Sequence, residues 1–85
     1  MGVRDDIIAA TSEMSTQTQK WVELVLQRPA EPVALMFESI ASRRETLSSH
    51  RRRAGQMGEA GETALAEINT QLDELDELSE IVRAL

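Results

Sequence analysis

The sequence predicts an all-α fold: a helical hairpin or three-helix antiparallel bundle, coiled-coil-like, forming a single domain over residues 1–85. Three observations predict it. Apolar residues keep helical time: Ile7, Met14 and Trp21 lie seven apart, Val33, Ile40, Leu47 and Ala54 lie seven apart, and Leu65, Ile68, Leu72 and Leu75 alternate by three and four. Two breaks divide the chain, one around Pro29 and Pro32 and one from Gly55 to Gly61. Folding at those breaks sets apolar on apolar, with Ile40 facing Leu75, Leu47 facing Ile68, Trp21 facing Ile40 and Met14 facing Leu47.

The first helix is expected over about 5–27, with Ile7, Thr11, Met14, Thr18, Trp21 and Val25 as its stripe. Its middle, Thr11 to Thr18, is rich in Ser and Thr, whose side chains compete for backbone hydrogen bonds and weaken a helix. The N-terminal half is therefore expected to be flexible and to order on a partner. Arg28-Pro29-Ala30-Glu31-Pro32 ends this helix, because Pro29 disfavours helical geometry at Arg28. Pro32 suits the first position of the second helix, expected over about 32–53 with Val33, Met36, Phe37, Ile40 and Leu47 on its apolar side. Gly55 is placed to cap it in left-handed geometry. The third helix is expected over about 62–82, with Leu65, Ile68, Leu72, Leu75, Leu78, Val82 and Leu85 on one side. Glu62 at its start and Arg83 at its end suit the helix dipole.

Composition limits function. A chain of 85 residues buries only about 60% of its unfolded surface, so oligomerisation or docking is a natural source of further burial. There is no Cys and a single His, which excludes disulfide staples and thiolate metal sites. His50 is expected near the core-facing edge of the second helix, in a structural role. Asp73/Glu74 and Asp76/Glu77 read as neighbours on a solvated face. No nucleophile–base–orienter set is suggested, so no enzyme activity, cofactor or metal is expected. Residues 5 and 6 are Asp, with no apolar run following Met-Gly-Val-Arg, so neither a secretory signal nor a membrane span is expected, and a cytoplasmic location is. Export without such a signal stays open. A net charge of −6 argues against nonspecific nucleic-acid binding.

Charge is unevenly placed. Arg43, Arg44, Arg51, Arg52 and Arg53 lie towards the Gly turn, whereas Asp73, Asp76, Glu77 and Glu80 lie towards the other end of the third helix. Those nine residues form a candidate charged association surface, and a rod with oppositely charged ends can associate with itself. The candidate partner-binding residues are Met14, Trp21, Leu26, Phe37, Leu78 and Leu85, as apolar surface left over after folding.

The stretch Pro32-Val33-Ala34-Leu35-Met36-Phe37-Glu38-Ser39-Ile40-Ala41-Ser42-Arg43-Arg44-Glu45-Thr46-Leu47, followed by the acidic Leu-rich Ala64 to Leu85, resembles the small helical chaperones of flagellar and type III secretion export. That resemblance implies a non-catalytic protein that binds export substrates or neighbouring chaperones through helical grooves. Trp21 and Pro29-Ala30-Glu31-Pro32 are also similar to the needle subunits of those systems, although the Gly55–Gly61 break would interrupt the second needle helix. The function expected is thus a helical interaction module, adaptor- or chaperone-like, bound to a helical partner or to itself. The alternatives are a self-assembling structural subunit and, behind it, an Arg-helix nucleic-acid binder.

Overall fold

A computed structural model describes residues 2–85. It contains four α-helices, α1 (Val3–Ala10), α2 (Thr16–Leu26), α3 (Pro32–Gln56) and α4 (Glu62–Arg83), with a 3-10 turn at Gly58–Gly61 and no strand among the described residues. The all-α class holds, but the expected first helix is two helices.

The reason lies in Thr11 to Ser15. The Thr11 hydroxyl donates back to the Ile8 carbonyl at 2.8 Å, and the Met14 N–H bonds the Thr11 carbonyl at 2.9 Å. Ser15 then opens a fresh helix, its hydroxyl accepting the Thr18 N–H at 3.4 Å as an N-cap. Gln19 closes the turn from the far side, donating to the carbonyls of Met14 at 2.7 Å and Ser12 at 3.2 Å. The chain therefore reverses, and Arg4 reaches the Arg28 carbonyl at 2.9 Å. In a continuous helix those two residues would stand about 36 Å apart. The N-terminal segment accordingly packs against the rest of the chain. An eight-residue helix is too short to persist alone. α1 is held by Ile7, which is fully buried and contributes roughly 1.5–3 kcal/mol of apolar burial.

At the Pro turn, Pro32 starts α3 as expected. Glu31 supplies the cap, its carboxylate accepting the N–H groups of Val33 at 3.1 Å and Ala34 at 2.7 Å. At the other turn, α3 does not stop at Arg53 with a left-handed Gly55. It runs through Gly55 to Gln56, and the left-handed residue is Gly58, at φ +62°. Gly61 packs against the end of α3 so closely that a Cβ there would lie 2.0 Å from the Ala54 carbonyl oxygen.

α3 and α4 form an antiparallel hairpin, and the α1–α2 arm folds onto it, each arm helix touching both hairpin helices. The molecule measures 46 × 22 × 20 Å. Met36, Ile40, Leu47, Leu75, Leu78 and Val82 from the hairpin and Ile7, Val22, Val25 and Leu26 from the arm share one buried cluster. Ile7 enters that cluster from the Pro-turn side, because α1 doubles back towards Arg28. No described helix is long and apolar enough to cross a membrane.

Candidate interaction surface

A polar seam docks the arm. Glu74, on α4, is 9% exposed rather than solvated as the sequence suggests. Its carboxylate accepts the Ser15 N–H, the Ser15 hydroxyl at 2.7 Å and the Thr18 hydroxyl at 2.8 Å. The anion thus sits at the N-terminus of α2, where the helix dipole favours it. Burial alone would raise the pKa of this carboxyl, but the three hydrogen bonds together hold it below its ordinary value. Beside it, Gln71 Nε2 donates to Gln17 Oε1 at 2.7 Å while Gln71 Oε1 accepts from Arg43 Nη2 at 3.3 Å. That relay ties α2, α4 and α3 at one level. Among the described residues no buried side-chain polar atom lacks a hydrogen-bond partner.

The docked arm creates a cleft of about 380 Å³ between α2 and α3. Trp21 and Val25 form one wall, and Ser39, Ser42 and Thr46 line the α3 side. Their spacing of three and four puts these small residues on one stripe of α3. Arg28, Arg43 and Glu38 supply charge around the rim. Trp21 is half-buried, and Leu24, one turn along α2, is 63% exposed. The arrangement offers a flat apolar edge beside a low, polar floor, with cationic groups within reach.

Two of the expected partner-binding residues are not on the surface. Leu26 is 2% exposed and Leu78 fully buried, because the folded-back α1 adds a wall to the core that a straight first helix would not supply. Met14, Trp21 and Phe37 are half-buried against the core and Leu85 is exposed, but these four do not gather in one place. Trp21 faces the cleft, whereas Leu85 lies beyond the end of α4. His50 is exposed, not at a core-facing edge.

The charged residues are partly engaged within the chain. Arg43 is spent on Gln71, and Arg44 pairs with Asp76 at 2.6 Å, beyond the level of Gln71 that the Ile40–Leu75 register gives it, since the long Arg side chain reaches past its own level. Arg51, Arg52, Arg53, Asp73, Glu77 and Glu80 are exposed. Among the described residues no three His, Asp or Glu side chains come together as a metal-holding group.

Sequence reasoning missed Glu74, Ser15, Thr18 and Gln71. The signal available was local: Ser15 sits at cap spacing before Thr18, but nothing in the sequence links either residue to a carboxylate 59 or 56 positions away. Compared with known proteins, the chain matches no protein-family model, no curated protein and no solved structure.

Proposed function

We propose that this chain is a non-enzymatic helical interaction module, adaptor- or export-chaperone-like, that receives an amphipathic helix of a partner protein in the cleft between α2 and α3. The observation that carries this reading is the half-buried Trp21, with Val25 on the same wall, set against the small residues Ser39, Ser42 and Thr46. An aromatic anchor next to a low floor is the form of a helix-in-groove site. Arg28 on the rim favours an acidic side chain on that helix, and Glu38 on the same rim favours a basic one.

Trp21 is the sole tryptophan, so its emission reports directly on the cleft. Adding a helical partner protein should shift that emission to the blue. Trp21→Ala should weaken the complex at least tenfold while leaving far-UV circular dichroism near wild type. Equal loss of binding and helicity would show that Trp21 serves the core alone.

A second reading, self-association, is favoured by the charges exposed at the two ends of the hairpin. Arg51, Arg52 and Arg53 are exposed near the Gly turn and Glu77 and Glu80 towards the far end of α4. Nucleic-acid binding draws less support, since Arg43 and Arg44 are already engaged by Gln71 and Asp76.

A further inference from the structure

We infer that the flank of the hairpin away from the arm is a two-fold interface for a second copy of this chain, centred on Leu72. The inference rests on the reading of the chain as a helical association module, but uses a different surface from the Trp21 cleft.

The flank is built by two series of seven-residue spacing. Phe37, Arg44 and Arg51 follow one edge of α3, and Leu65, Leu72 and Ser79 follow one edge of α4. Arg44, Arg51 and Leu72 line a common cleft of about 410 Å³, completed by Ser48, Asp73 and Asp76, with no residue of α1 or α2 in its walls. Phe37, Leu65 and Leu72 are all half-buried apolar groups resting on the core.

The hairpin register fixes their heights along the rod. Arg43 bonds Gln71, and Ala54 packs on Gly61, so facing residue numbers sum to 114 at one point and 115 at the other. Phe37 is then level with Glu77 or Leu78, and Arg51 with Thr63 or Ala64. A two-fold axis through Leu72 inverts those heights. It sets Leu72 on the partner's Leu72, Phe37 on the partner's Leu65, Arg51 opposite the partner's Glu80, and Arg44 beside the partner's Asp73. Apolar meets apolar and cation meets anion along one seam, which is the self-complementarity an isologous interface requires. Arg51 and Asp73 are exposed and form no ion pair among the described residues, and Glu80 has only an exposed 3.9 Å contact with Arg83 one turn along its own helix, whereas Arg44 keeps Asp76 at 2.6 Å and adds the partner's Asp73 beside it. A head-to-tail filament lacks this property, because its two contact patches need not complement themselves.

The test is sedimentation equilibrium on the full chain, from micromolar to near-millimolar concentration, with five variants. Wild type should approach a dimer and stop. Leu72→Glu sets like charges on the axis and should leave a monomer of unchanged helicity. Arg51→Glu and Glu80→Arg, both at exposed positions that leave the fold intact, should each weaken association roughly tenfold, since symmetry counts the pair twice. The double variant restores the pairing in reverse and should recover wild-type association. Trp21→Ala should dimerise as wild type does, which separates this surface from the cleft. A wild-type monomer throughout, growth that passes dimer without a plateau, or a dimer indifferent to the charge reversals would each overturn the assignment. If Leu72→Glu fails to fold, the charge-reversal pair decides alone.

Discussion

Removing the Glu74 carboxylate should detach the arm from the hairpin and lower stability far more than removing any neighbouring acid. Glu74→Ala leaves the Ser15 N–H, the Ser15 hydroxyl and the Thr18 hydroxyl without their common acceptor. Hydrogen bonds to a charged group contribute about 1.5–3 kcal/mol each when removal strands a buried partner. Ser15 is only half-buried and recovers water, so the full sum is not expected. A loss of about 2–3 kcal/mol follows, against a total of about 4–13 kcal/mol for a chain of this length. In urea, with a slope near 1–2 kcal/mol per molar, the midpoint should fall by roughly 1–3 M. Asp73→Ala, on the exposed side of the same turn, should stay within about 0.5 kcal/mol of wild type. Acid should abolish the difference. Hydrogen bonding holds the folded-state pKa of Glu74 below its ordinary value of 4.5, so the stabilisation is fully present above pH 4.5 and is lost as pH falls through the folded-state value. The gap between wild type and Glu74→Gln should therefore close on acidification. An equal urea midpoint for Glu74→Ala and Asp73→Ala at pH 7 would refute the latch.

The glycines should respond in opposite directions. Gly61→Ala places a Cβ against the Ala54 carbonyl and should destabilise by about 2 kcal/mol or more as the hairpin end is forced apart, whereas Gly55→Ala, helical and with nothing near, should stabilise by about 0.5–1 kcal/mol. Gly58→Ala, at positive φ, should cost about 1 kcal/mol by thermal melting. Glu31→Ala removes the acceptor for two N–H groups at the start of α3 and should cost about 1 kcal/mol, read from the same melts.

The hairpin was legible because its signals are local and repeated. Val33, Ile40 and Leu47 on α3 and Ile68 and Leu75 on α4 mark their faces by spacing alone, and the Gly-rich turn admits one way of folding them together. Helix one was not legible. A Ser/Thr-rich stretch reads as weak helix, but whether it bends is decided by Glu74, far away in sequence. Once the arm reverses, the rest changes with it. Leu26 and Leu78 become core, Ile7 moves to the Pro-turn side, and Glu74 becomes a buried anchor in place of a solvated acid. Trp21, expected to face Ile40, ends half-buried on the wall of a cleft. Arg44 shows a smaller version of the same limit, since register gives the height of a Cα but not the reach of a guanidinium.

The docking cleft and the free seam both exist only if α1 and α2 fold back along one side of the hairpin. Spin labels on cysteines introduced at Asp5 and Ala30, two exposed positions in a chain with no native Cys, measure that directly by pulsed dipolar spectroscopy. A single narrow distance on the order of 20 Å or less is predicted from the Arg4–Arg28 contact. A distance near 35 Å or more would mean a continuous first helix, and with it neither the Glu74 latch nor the cleft beside Trp21 would stand.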